Sequence, residues 1–224
     1  VSEATGNDRL AHWYRSWEEQ TESVTLGMWL FLVTEVMFFG GIFTAYMLYR
    51  SQNPEAFAAA SHHLDILLGG LNTVVLIGSS LTVVLSVWSA ERGKQKALAF
   101  WLLATIVLGL TFLVVKYFEY SAKWEHNLVP GPDFVFHDTR AGEHGPVDPN
   151  RARMFFHFYF FMTGLHALHM IIGIGVYSLL LFNTLKGKYS VRWHDPIPVA
   201  GLYWHFVDLV WIFLFPLLYL IGRH

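Results

Sequence analysis

Residues 23–49 read SVTLGMWLFLVTEVMFFGGIFTAYMLY, an apolar run with a single formal charge, Glu35. A helix rises about 1.5 Å per residue and the hydrocarbon core of a bilayer is about 30 Å thick, so about 20 such residues suffice to cross it. The run reads as a membrane span. It is too long for a signal peptide, follows an acidic rather than a basic stretch and holds an internal carboxyl, so it is expected to remain in the membrane. Four more runs lie downstream. Ile66–Ala90 has no formal charge, and Ala97–Val115 is clean and continues through Lys116 to Glu119. Met154–Leu185 carries His157, His166 and His169, and Pro196–Gly222 carries His205 and Asp208. Lipid gives the backbone no hydrogen-bond partner, so these runs are expected to be helices, and the period-two alternation of a membrane barrel is missing.

The sequence therefore predicts an all-α fold, a polytopic membrane helix bundle with five transmembrane helices. The spans are placed at about 25–49, 66–89, 97–119, 155–183 and 200–221, within one membrane domain over 23–222. Residues 1–22 are expected to form an interfacial tail, where Trp13, Tyr14 and Trp17 suit the headgroup level. Residues 120–153, with Pro130-Gly131-Pro132 at a turn, are read as a long outer loop. Small residues at Gly40, Gly41, Thr44, Ala45, Gly69, Gly70, Gly164, Gly173 and Gly175 suggest close helix approach.

Composition agrees. Of 224 residues, 54% are hydrophobic, 17% aromatic and only 14% charged, where a soluble domain carries about a quarter charged. The formal charge is −2 with no long basic run, which argues against a nucleic-acid partner. The absence of cysteine removes disulfides, thiolate metal sites and cysteine nucleophiles. Arg9, Arg15, Arg92, Lys94, Lys96, Lys186, Lys188 and Arg192 fall on one side of the membrane, and most opposing cations crowd into the long loop. The positive-inside rule then places the N-terminus in the cytoplasm and the C-terminus outside.

Ionisable groups inside a span are costly, so each is a functional candidate. By depth, Glu35, His166, His169, His205 and Asp208 are expected to converge on one inner layer. The pairs His166/His169 and His205/Asp208 are each three apart and share a helix face. Asn72, Lys116, Glu119 and His157 form an outer layer, with Lys116 and Glu119 again three apart. The inner layer can be a proton relay, an ion site or a haem site. It can equally be a set of polar groups that satisfy one another and lock the helices in register. A lone carboxyl such as Glu35, followed by Phe38 and Phe39, favours its neutral form in that setting.

The segments carrying these residues resemble one family. Leu26-Gly27-Met28-Trp29-Leu30-Phe31-Leu32-Val33-Thr34-Glu35-Val36-Met37-Phe38-Phe39-Gly40 resembles the glutamate-bearing helix of subunit III of haem-copper cytochrome oxidases. Leu71-Asn72-Thr73-Val74 with Ser79-Ser80 is similar to that family's next helix, and Glu119-Tyr120 to the end of the one after. Thr163-Gly164-Leu165-His166-Ala167-Leu168-His169-Met170-Ile171-Ile172-Gly173 resembles its histidine-bearing helix, and Tyr203-Trp204-His205-Phe206-Val207-Asp208-Leu209-Val210-Trp211 its last. All five occur in order, over roughly residues 25–222.

The resemblance implies a non-catalytic subunit of a terminal oxidase, in the five-helix bacterial form and in the cytoplasmic membrane. It implies no catalytic residue, metal or cofactor in this chain, with haem and copper in partner subunits. It implies packing beside subunit I, with subunit II and other respiratory subunits as further partners, bound phospholipid, and support of proton uptake into subunit I. Glu35 falls on the family's carbodiimide-reactive glutamate, and shared depth motivates a Glu35–His205 hydrogen bond. Where the mitochondrial form has a lipid-binding arginine, near Asn183, this chain has none, leaving Lys186, Lys188 and Arg192 as headgroup candidates. Related readings are a quinol oxidase subunit III or an accessory subunit of nitric oxide reductase. Readings of another class are a b-type cytochrome ligated by His157, His166, His169 and His205, and a proton-coupled transporter built around Glu35.

Overall fold

The computed structural model describes residues 14, 16–132, 134–136, 147–189 and 195–220, with Trp17 by its backbone alone. Six α-helices follow one another: α1 Trp17–Gln52, α2 Pro54–Ser61, α3 Ile66–Glu91, α4 Gln95–Glu125, α5 Pro149–Leu185 and α6 Pro196–Phe215, the last running into a π-helical turn at Pro216–Leu220. No strand occurs among the described residues. Five helices, all but α2, are long and apolar enough to cross a membrane.

Local chemistry sets the boundaries. Ser16 accepts from the Glu19 N–H at 3.1 Å and opens α1, with Glu18 and Glu19 in the first turn favouring its positive end. Asp65 accepts from the N–H groups of Leu67 and Leu68 and caps α3, and Asp148, followed by Pro149 at the first helical position, does the same for α5. Gly93 at φ 68° makes the short α3–α4 turn. Helices outrun the apolar runs because winding continues past the hydrocarbon. The outer connection expected over 120–153 is therefore shorter: α4 extends to Glu125 and α5 starts at Pro149. Residues 17–22 are helical and continuous with α1, while residues 1–13 and 15 of the tail expected over 1–22 lie outside the described residues. The sequence reading passed over α2, whose Asn53-Pro54 start and alanine-rich face bury Ala56, Phe57, Ala59 and Ala60.

Helices α3, α4, α5 and α6 form a square in which α3 and α5 each touch both α4 and α6. The first helix lies outside this square against α6, and α2 packs on α5. Each neighbouring pair of the square is tied by at least one polar contact, as expected where lipid removes the hydrophobic drive between helices. Thr82 meets Thr105 at 2.7 Å between α3 and α4, and Tyr120 meets Thr163 at 2.5 Å between α4 and α5. Trp204 Nε1 donates to Ser79 Oγ and Trp211 Nε1 to Thr73 Oγ1, joining α6 to α3. Tyr203 donates to the His169 carbonyl between α6 and α5.

Glycine permits close contact at three places. A Cβ on Gly109 or Gly173 would press on Trp204 at 2.9 or 3.0 Å, and one on Gly69 would strike Phe215 at 2.7 Å. Gly40, Gly41, Gly70 and Gly175 meet nothing within 4 Å, so the close approach expected at those positions does not occur inside this chain. Pro216 has no N–H to continue the ladder, and the wider π turn that follows leaves the Leu217 carbonyl to accept from Tyr46 of α1 at 3.0 Å.

Candidate functional site

Gln20, Phe43, Ala45 and Arg50 of α1 are half-covered at its flanks, and along its inner line the covered Leu32, Phe39 and Tyr46 are joined by the half-covered Thr21, Thr25, Met28, Glu35 and Ile42. Spacings of four and three alternate along this set, which makes one narrow coiled-coil-like seam. Glu35 sits on that seam. Its Oε2 lies 3.3 Å from His169 Nε2, within ion-pair reach though outside hydrogen-bond alignment. His169 Nδ1 is 2.9 Å from the Leu165 carbonyl, which can only accept, so Nδ1 carries the hydrogen. Two lone pairs would then face each other unless one proton is held between Glu35 and Nε2. Phe39 packs edge-on against the imidazole at 5.4 Å and shields the pair.

The inner layer is divided rather than convergent. His166, 1% exposed, stands between the rings of Phe112 and Trp211, each at 5.3 Å, and among the described residues neither of its nitrogens has a hydrogen-bond partner. His205 points the other way: its Nδ1 lies 2.7 Å from Ser80 Oγ on α3. The Glu35–His205 bond expected from depth alone is therefore not formed, because the α6 surface that carries His205 turns toward α3 while Glu35 meets α5. Asp208 is 4% exposed beside Ser80, its polar neighbour, and neither carboxyl oxygen makes a hydrogen bond among the described residues.

The outer layer contains a closed ionic cluster. Lys116 Nζ donates to Glu119 Oε2 at 2.8 Å and to the Tyr219 hydroxyl at 2.6 Å. Glu119 Oε1 accepts from Tyr219 at 2.5 Å and from Tyr159 at 3.0 Å. The ammonium also lies 4.6 Å from the Trp211 ring centre. Lys116, Glu119, Tyr159 and Tyr219 are all buried. The tyrosines were missed in the sequence because one stands in an aromatic run that reads as packing surface and the other follows Pro216, where helical register is lost. His157 does not join: it is exposed and bonds the Arg153 carbonyl on its own helix. Asn72 is buried, and among the described residues its amide has no hydrogen-bond partner.

A pocket of about 450 Å³ at this end of the bundle is lined by His63, Asp65, Leu68, Lys123 and His126, with Glu119 also on its wall. Lys123 donates to the His63 carbonyl at 2.5 Å. At the opposite end, Thr21 donates to Asp195 at 2.6 Å and ties the start of α1 to the start of α6. Among the headgroup candidates there, Lys186 folds over the Phe182 ring at 4.0 Å, Lys188 follows the end of α5, and Arg192 lies outside the described residues. No three histidine, aspartate or glutamate side chains among the described residues are placed to hold a metal ion.

Five helices long and apolar enough to cross a membrane, tied together by polar pairs, define a polytopic membrane protein. The chain belongs to the cytochrome c oxidase subunit III family, whose model matches residues 17–126 and 152–223. The gap in that match falls on the connection between α4 and α5. Among relatives, the chain is 32% identical over 200 residues to cytochrome c oxidase subunit 3 of Corynebacterium diphtheriae, covering 88% of each. It is 34% identical over 196 residues to the Synechocystis subunit 3, covering 87% of this chain and 74% of that one. It is 29% identical over 221 residues to haem-copper oxidase subunit I+III of Aeropyrum pernix, covering 96% of this chain and 24% of that protein. The chain is thus subunit III of a haem-copper oxidase, a part of an oxidase complex.

Proposed function

We propose that the chain serves aerobic respiration as the non-catalytic subunit of a proton-pumping cytochrome c oxidase, holding subunit I in its working form. The observation that carries this reading is how its membrane-embedded charges are used. Lys116 and Glu119 consume each other with two tyrosines, and Glu35 faces His169, so these groups bond helix to helix instead of offering a ligand set. Haem and copper then reside in subunits I and II, and electrons bypass this chain.

Association with subunit I is supported by the Aeropyrum pernix relative, whose name joins subunits I and III in one protein. The close approach of Glu35 to His169 on the α1 seam suits a chain that supports proton uptake by its neighbour without itself conducting. Lys186 and Lys188, with Arg192, would anchor phospholipid headgroups at the cytoplasmic rim of a bacterial inner membrane, with the N-terminus inside and the C-terminus outside.

Purification of the tagged chain from its host in mild detergent tests the reading. Subunits I and II should accompany it, and all visible absorption should belong to them. A Soret band on the separated chain, or ion transport by the chain alone in liposomes, would overturn the proposal.

A further inference from the structure

On the membrane-facing side of the square, α3 and α6 leave a groove of about 440 Å³. Its rim is aliphatic and open, with Ile77, Leu81, Val84, Leu209 and Ile212 each about half exposed. Its floor is polar: Ser80, His205 and Asp208. The floor is incomplete. His205 has turned its Nδ1 to Ser80, so Asp208, 4% exposed, shares that hydroxyl as its polar neighbour, and neither of its oxygens meets hydrogen-bond geometry among the described residues. A buried carboxyl left in this state is costly, whether charged or neutral, and a donor or acceptor entering the groove relieves it.

Depth decides what can enter. Ser80 lies about 17 Å from the Glu91 end of α3 and Asp208 about 18 Å from the Pro196 end of α6, at 1.5 Å per residue. Both lie near the middle of a hydrocarbon layer about 30 Å thick, out of reach of phosphate headgroups. The lining residues on α3, from Leu76 to Val84, extend along two helical turns, and those on α6 run beside them from His205 to Ile212. The groove is a furrow parallel to the helix axes, shaped for a third helix.

We propose that this furrow seats a transmembrane helix of another oxidase subunit, one whose mid-span side chain hydrogen-bonds Asp208. The occupant buries the aliphatic rim and completes the polar floor, so specificity comes from the buried carboxyl and its complement. This inference rests on the chain being an oxidase subunit.

A photo-crosslinking phenylalanine analogue placed at Ile77 or Ile212, in host cells making the whole oxidase, tests it. The expected product is a covalent adduct to the membrane segment of another oxidase subunit. Asp208→Leu should cut its yield several-fold, and Asp208→Asn, which can still donate and accept, should preserve most of it. If the complex purifies intact but the adducts are with phospholipid or a quinone, or the yield ignores Asp208→Leu, the furrow proposal falls while the subunit reading stands. If no haem-copper subunit accompanies the chain at all, both fall together.

Discussion

Lys116 is 4% exposed inside the bundle, and its ammonium is enclosed by polar and aromatic partners. Glu119 and Tyr219 take its hydrogens and Trp211 covers it with a ring. Lys116→Met strands the carboxylate and should cost about 3–5 kcal/mol, because removing one partner of a buried pair leaves the other uncompensated. Lys116→Met with Glu119→Gln removes both charges, keeps an acceptor for the tyrosines, and should recover a good part of that loss. Thermal unfolding of the single and double variants in one detergent checks the expectation, and an additive double variant would contradict it. Glu35→Gln is expected to behave differently. A glutamine amide can donate to the free Nε2 of His169, so the contact survives without a labile proton. Oxygen reduction by the complex should stay near the unsubstituted rate in an oxygen-electrode assay. A fall below about a tenth, comparable with loss of a catalytic acid or base, would show that Glu35 takes part in turnover.

At the scale of elements, packing against Trp204 of α6 decides which glycines of α4 and α5 matter. Gly109→Ala and Gly173→Ala each push a methyl into the Trp204 ring from α4 and α5, and each should cost about 1–3 kcal/mol as overpacking. Gly175→Ala meets nothing within 4 Å and should be neutral or slightly stabilising, since alanine is the better helix former by about 1 kcal/mol. Melting temperatures of the three variants in detergent separate these outcomes. Five apolar runs of sufficient length specify five spans almost regardless of detail, so the number and order of the long helices were legible, while the short α2 was not. The partner that each helix face chooses was not. Gly41 and Gly173 read alike as small residues, yet one faces outward and the other meets Trp204. Residues i and i+3 on one helix, such as Lys116 and Glu119, could be paired from spacing alone. The pair across helices, Glu35 with His169 instead of His205, depends on rotations about each helix axis that a depth estimate does not contain.

For the whole molecule, the square of α3 to α6 and the outlying α1 give an asymmetric body. Along its seam α1 meets the rest through Thr21 to Asp195 at one end, Glu35 to His169 in the middle and Tyr46 to the Leu217 carbonyl at the other. These ties fix the vertical register of α1 against the square, so the ends of the helices report one common orientation. Arg92, Lys94 and Lys186 gather at the end that also holds Thr21 and Asp195, the end that the positive-inside rule predicts to face the cytoplasm. The chain has no cysteine, so single substitutions give an unambiguous readout. Ser51→Cys, at the far end of α1, should react with a membrane-impermeant maleimide added to intact cells. Gln95→Cys, at the start of α4, should react only after the membrane is opened. The reverse pattern would invert the topology, place the Glu119 pocket on the cytoplasmic side and move Lys186 and Lys188 away from the anionic inner leaflet. The same charges that set the insertion would then contradict it, which is why two labelling reactions suffice to fix the orientation of all five spans.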